Sequence, residues 1–121
     1  MEESKKYLDQ LDKASLVELK SFRHPPNAVV LVMNAVLVLM KIKPNWNEAK
    51  KFLGNSNVIQ NLLCYDIQNI SQETLEKLTE FTSQPEWNYE SIKKVSNACS
   101  NIFLWVENVI KLAKLYSEHK N

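Results

Sequence analysis

Residues 25–44 read PPNAVVLVMNAVLVLMKIKP, and the conformation of this stretch decides the fold. From Ala28 to Met40 the run is apolar except for Asn34. Its thirteen residues are too few for a bilayer span, which takes about 20, and fit a core helix or a buried strand. The valines lean toward strand. Two features choose the helix. Pro25 and Pro26 stand at its start, where a helix has no partner for the missing N–H groups. No glycine lies nearby to turn a hairpin, and Gly54 is the only one in the chain. The expected fold is therefore all-α, with a buried helix over about 26–41.

Working toward the C-terminus, Pro44 stops that helix, and Asn45 with Glu48 looks like a cap and its partner for a short helix through Leu53. Gly54 then falls where a C′ residue with positive φ is expected. A further short helix over 57–65 carries Val58, Ile59, Leu62 and Leu63. Ser71 caps a helix through Thr82 with Leu75, Leu78 and Phe81 on one face, and Ser83–Glu86 is loop. Asn88 caps a helix over 89–97, and a last one runs over 100–119. Trp105, Val109, Leu112 and Tyr116 mark the last helix at spacings of four, three and four, a coiled-coil seam.

Toward the N-terminus, residues 4–24 read as helix with Leu8, Leu11, Leu16, Leu19 and Phe22 as its stripe. The pattern slips between Leu11 and Leu16, where Ser15 and Glu18 form an S-x-x-E box. That marks either a break near Lys13–Ser15 or a plain helix with a solvated serine. Pro25 and Pro26 end this segment, since the residue before a proline avoids the α region. The simplest assembly is a compact bundle of about six short helices on the end of a two-helix antiparallel coiled-coil stalk. Its expected divisions are a stalk helix over 1–24, a globular head over 25–104, and a helix over 105–121 that leaves the head as the second stalk strand.

Composition excludes several functions. Lys plus Arg is 15 and Asp plus Glu is 14, a net charge of +1, which disfavours a strongly basic nucleic-acid binder. One Gly and four Pro argue against a β-sandwich or barrel. The charged start, Met1 to Lys6, has no apolar segment after it, so no signal peptide is expected. Cys64 and Cys99 form no CxxC pair and no zinc spacing, and read as small buried hydrophobes. His24 and His119 have no Cys or carboxylate at ligand spacing, and read as surface residues. Phosphate-binding loops need glycines this chain lacks. Trp46, Trp87 and Trp105 lie within apolar helical patterns and read as core. No catalytic or metal site is supported. Charge is uneven, however. Residues 25–70 carry Lys41, Lys43, Lys50 and Lys51 against Glu48 and Asp66, which is either a patch for an acidic partner or a solvated face.

The run ELKSFRHPP (18–26) resembles the end of the first stalk helix of dynein heavy chains, where a similar run leads to a double proline. The similarity continues through LVMNAVLVLMKIKP (31–44), AKKFLG (49–54), YDIQNI (65–70), KKVSNAC (93–99) and Trp105-Val106. In order and spacing these resemble the microtubule-binding domain at the stalk tip, and the IKP and YDxxNI variants look axonemal. The resemblance implies a non-catalytic domain of an ATP-driven motor. It would hold no cofactor of its own, with ATP bound in a remote AAA+ ring. The microtubule is the implied partner, with no nucleic acid and no membrane, in the cytoplasm or cytoskeleton of a cilium or flagellum. The two terminal helices are expected to pair through Leu8, Leu11, Leu19, Phe22, Trp105, Val109, Leu112 and Tyr116, and nucleotide state to shift their register. Pro25 and Pro26 would mark the helix break.

The implied tubulin-facing positions are Val30, Asn34, Lys41, Lys43, Leu63, Ile67, Leu104 and Glu107, with Lys20, Arg23 and Lys111 as further candidates. Here the chain departs from the family pattern. Relatives often carry Lys at position 30, an acid at 34, basic residues at 63, 67 and 104, and Arg at 107. The family often has Gly where Lys41 stands. Tubulin's surface is acidic, and each lost charge contact costs on the order of 1–3 kcal/mol. The expected affinity is therefore low, and Leu63, Ile67 and Leu104, if exposed, would form an apolar patch. The alternatives are a degenerate stalk head with little tubulin affinity or another partner, an unrelated helical adaptor, and a small enzyme.

Overall fold

The structure, a computed structural model, describes residues 8, 11, 13–55, 57–65 and 70–118. Seven helices are defined among the described residues, with no strand: α1 Lys13–Lys20, α2 Asn27–Leu39, α3 Trp46–Leu53, α4 Val58–Leu63, α5 Gln72–Thr82, α6 Tyr89–Val95 and α7 Asn97–Glu118. The apolar run is the central helix. Ala28, Val29, Val32, Met33, Ala35, Val36, Leu37 and Leu39 are buried along α2. Around it pack α3, α5, α6 and α7, while α1 lies against α3 and α7, and α6 against α7. Burying one large aliphatic side chain is worth about 1.5–3 kcal/mol. A β-branched residue in a helix costs at most about 0.7 kcal/mol. Burial on several sides therefore overrides the strand preference of the valines.

The ends of α2 are set by backbone chemistry. Pro26 is its N-cap, extended at φ −59°, ψ 152°, with no side-chain capping bond. At the other end Ile42 N–H donates to Leu37 O at 2.8 Å and Lys41 N–H to Val38 O at 3.1 Å. This is a Schellman motif, which needs a left-handed residue at C′. That residue is Lys41, at φ 61°. The positive φ expected at Gly54 is absent, since Gly54 is right-handed at φ −78°. Gly54 serves space instead. A Cβ there would lie 3.0 Å from Lys20 Nζ and 3.3 Å from Lys50 O.

The other caps follow the sequence closely. Asn45 Oδ1 accepts Glu48 N–H at 2.8 Å, Ser71 Oγ accepts Thr74 N–H at 3.2 Å, and Asn88 Oδ1 accepts Ser91 N–H at 2.8 Å. Glu48 does not complete a capping box: the Asn45 N–H donates to Lys43 O at 3.0 Å, and the Glu48 carboxylate lies 3.6 Å from Lys51 Nζ.

Two boundaries differ from expectation, and a third decides between the two readings of the first segment in favour of a break. The first helix is interrupted: Leu11 is non-helical, with its N–H on Leu8 O at 3.0 Å, and α1 begins at Lys13. Ser15 thus sits inside α1 and is not its N-cap. That helix ends at Lys20, ahead of the prolines, where Ser21 Oγ donates to Glu18 O at 2.6 Å. The chain beyond is held by Trp46 Nε1, which donates to Phe22 O at 3.1 Å. Finally, α7 starts at Asn97, three residues early. Ser96 is extended and its Oγ accepts Cys99 N–H at 3.1 Å, so one serine ends α6 and caps α7.

The face of α7 is broader than a two-position seam near the head. Ile102, Val106 and Ile110 are buried with Trp105 and Val109. It narrows toward the C-terminus, where Ala113 is buried and Leu112 and Tyr116 are half-buried. Leu8, Leu11 and Leu19 are buried and Phe22 half-buried. Trp87 and Trp105 are buried and Trp46 half-buried, as core residues. His24 is exposed, and His119 lies outside the described residues.

The cysteines part company. Cys99 is buried, and burial pushes its thiol up to about 12. Cys64, expected to be buried, is exposed because it follows the last turn of α4, where Gln60 Nε2 donates to its Sγ at 3.1 Å. In the native protein a thiol reagent should label Cys64 quickly and Cys99 only on unfolding, as mass spectrometry of the labelled peptides would read. Above pH about 9 the unfolded chain releases the Cys99 proton while the folded chain keeps it, so this residue makes stability fall as pH rises. Lys41→Gly should stabilise the fold by about 0.5–1 kcal/mol in urea denaturation, because relief of the left-handed cost exceeds the added entropy of the unfolded chain.

Candidate functional site

The outward stripe of α2 is made by helical spacing. With Ala28, Val29, Val32, Met33 and Ala35–Leu37 turned inward, Val30, Leu31, Asn34 and Val38 are left half-buried along one side. Asn27 and Lys41, both exposed, stand at its ends. Asn34 Oδ1 is shielded from solvent and has no hydrogen-bond partner among the described residues. Two of the expected site positions, Val30 and Asn34, share this stripe, and Lys41 continues it.

Tyr65 ties this stripe to two other elements. Its hydroxyl donates to Leu39 O at 2.7 Å, at the C-terminal end of α2. Its ring meets Trp105 of α7 edge-on, with centroids 6.0 Å apart. The end of α4 is thereby drawn to the end of α2 and to the middle of α7. Leu63 precedes Tyr65 by two residues, and Leu104 is the neighbour of Trp105. Both are half-buried and pack on the core, so neither stands fully exposed as an apolar patch would require. Ile67, the third member of that patch, lies outside the described residues.

Glu107 has an internal partner. The Trp87 indole, itself buried, donates from Nε1 to Glu107 Oε1 at 2.8 Å, and its ring meets Phe103 at a 50° tilt with centroids 4.9 Å apart. An arginine at position 107 has no acceptor for that bond. Glu107 therefore fastens the loop before α6 onto α7.

Lys41 and Lys43 are exposed and wall a cleft whose other side is α5, with Glu73, Lys77 and Glu80. Neither lysine forms an ion pair with a described residue. Glu73 instead pairs with Lys77 at 3.9 Å, fully in solvent. Tyr65, Trp87 and the Lys20–Gly54 approach were not singled out from sequence as site features. A buried tyrosine or tryptophan needs a polar partner, but which one is a tertiary fact. Among the described residues no three of His, Cys, Asp and Glu gather as for a metal ion, and no helix is long and apolar enough to cross a membrane.

A family model described as the microtubule-binding stalk of dynein motor matches residues 1–121. The chain belongs to this dynein stalk family. It is 41% identical over 94 residues, 78% of its length, to human dynein axonemal heavy chain 6. It is 36% identical over 116 residues, 96% of its length, to human dynein axonemal heavy chain 2. A cytoplasmic dynein heavy chain of Saccharomyces cerevisiae is also similar, at 29% over 116 residues. The chain spans only 2–3% of the length of these relatives. Among solved structures, the microtubule-binding domain of dynein-C superposes with a TM-score of 0.83 at 28% identity, covering 98% of this chain and 86% of that one. The matched region is a non-catalytic part of the dynein heavy chain.

Within this stalk-family fold, the two internal fasteners should be separable from any surface role. Tyr65→Phe should lower stability by about 1 kcal/mol, the net worth of one hydrogen bond. Glu107→Ala should cost about 1–2 kcal/mol by leaving the Trp87 N–H unpaired, while Glu107→Gln, which keeps an acceptor, should cost less. Urea denaturation with tryptophan fluorescence measures both.

Proposed function

We propose that this domain attaches a dynein heavy chain reversibly to the microtubule, at the groove between α- and β-tubulin, with low affinity for its class. The carrying observation is the superposition on a dynein microtubule-binding domain over 98% of the chain. The attachment surface is formed by the outer stripe of α2 with Val30 and Asn34, by α4 with Leu63 and the following Ile67, by α7 at Leu104 and Glu107, and by Lys41 and Lys43. The setting is the axoneme of a cilium or flagellum, as for the axonemal relatives.

The segments over 1–24 and 105–121 are the ends of the two stalk strands, and 25–104 is the head. Pro25 and Pro26 separate the first strand from α2. Leu8, Leu11, Leu19 and Phe22 pair with Trp105, Val109, Leu112 and Tyr116. Their register carries the signal from ATP in the remote AAA+ ring, and no cofactor binds in this fragment. Packing of α1 on α3 and α7 supports that route.

Low affinity follows from charge. Lys41 and Lys43 are free of described ion pairs and available to an acidic surface. Position 107 carries an acid held by Trp87, while positions 63 and 104 carry leucines that pack on the core. A degenerate head with little tubulin affinity is the second reading, favoured by these same substitutions.

Microtubule co-sedimentation tests both. Residues 1–121 fused to a rigid antiparallel coiled coil in two registers should pellet in one register more than the other, and less at higher salt. Lys41→Ala with Lys43→Ala should weaken pelleting by about tenfold, and Leu63→Lys with Leu104→Lys should strengthen it. No pelleting in either register by a folded protein would overturn the attachment and leave the degenerate reading.

A further inference from the structure

Val17 is the most exposed large hydrophobic side chain among the described residues, at 58% against 42% for Leu115. It does not stand alone. With Leu53 and Ile59 it lines a cleft of about 420 Å³ between α1 and the α3–α4 connection. A cleft of that size is at the small end of ligand sites, which run about 300–1,000 Å³, and suits one or two side chains better than a folded surface.

The cleft opens onto a basic depression. Lys20 and Gly54 border both, and Lys50 and Lys51 complete the second. The Lys20 ammonium lies at their junction, 3.0 Å from where a Cβ on Gly54 would stand. No acidic side chain lines either depression among the described residues. Lys51 is shared with Glu48 at 3.6 Å, an exposed pair worth about 0–1 kcal/mol, so Lys20 and Lys50 supply most of the free charge.

We propose that the α1–α3–α4 cleft is a docking site for an acidic peptide segment of a partner protein, which seats one apolar side chain beside Val17 and lays its carboxylates along Lys20, Lys50 and Lys51. The argument is charge complementarity: an apolar slot bordered by cations, of which only Lys51 is shared with an acid, selects an apolar anchor flanked by negative charge. The site shares Lys20 with the further tubulin-facing candidates but none of the residues named in the proposed α2, α4 and α7 attachment surface, and Val17, its apolar anchor point, belongs to it alone.

The test is fluorescence anisotropy of the 121-residue chain with a dye-labelled glutamate nonapeptide bearing leucine at its centre, against the all-glutamate nonapeptide. The leucine peptide should bind about fivefold more tightly. Val17→Asp, at an exposed position, should remove that preference, and Lys20→Glu with Lys50→Glu should weaken both peptides. Circular dichroism checks that each variant remains helical, and Val17→Ser serves if Val17→Asp does not fold. Equal affinity for the two peptides, indifference to these variants, or no binding would overturn the proposal. So would sedimentation velocity showing that Val17 instead joins two copies of this chain. Microtubule pelleting by the Val17 variants is read separately, so loss of the leucine preference with pelleting intact distinguishes this site from the attachment surface.

Discussion

Everything in this small fold hangs on the burial of one helix. The α2 segment supplies the apolar centre on which α3, α5, α6 and α7 all pack. A strand in its place would need partners the chain does not have. With one glycine and few tight turns, the sequence can bury that run only by surrounding it with helices. This constraint also explains why so little of α2 is left to face outward. Any functional surface on it is confined to a narrow stripe, and the character of that stripe rests on a few side chains.

Local rules were readable in the sequence where a side chain acts on its own backbone. Asn45, Ser71 and Asn88 announce the helices that follow them, because the cap is made within three residues. Legibility fell where a distant group decided the outcome. Ser21 ends α1 well before the prolines, with the chain beyond it held by Trp46. Gly54 invited a reading from backbone conformation, whereas what stands closest to the space of its missing side chain is the Lys20 ammonium and the Lys50 carbonyl. The left-handed turn fell on Lys41, a residue no propensity rule would choose. Cys64 misled because it follows the final turn of a very short helix, where apolar periodicity has ended.

For the candidate surface the sequence supplied positions, and what each side chain touches came only with the fold. The family resemblance picked out Val30 and Asn34, and helical spacing groups them on one side of α2. The resemblance did not reveal that Glu107 is bound to Trp87, or that Leu63 and Leu104 lean into the core. Those residues have a structural occupation as well as a place on the surface. Charge at these positions is therefore coupled to packing: an arginine in place of Glu107 would open an internal bond, whereas the aliphatic stem of a lysine can imitate Leu63 or Leu104.

The bond from the Trp46 indole to the Phe22 carbonyl has a mechanical side. Two paths leave the end of α1. One is covalent, through Pro25 and Pro26 into α2, stiffened by two ring-locked φ angles. The other leaves the chain at Phe22 and enters α3 through the indole. Any load arriving along α1 would thus be divided before it reached the double proline, with α3 as a strut beside the main beam. Strain at this corner would be felt first by a hydrogen bond that can break and re-form, sparing the central helix on which the fold depends.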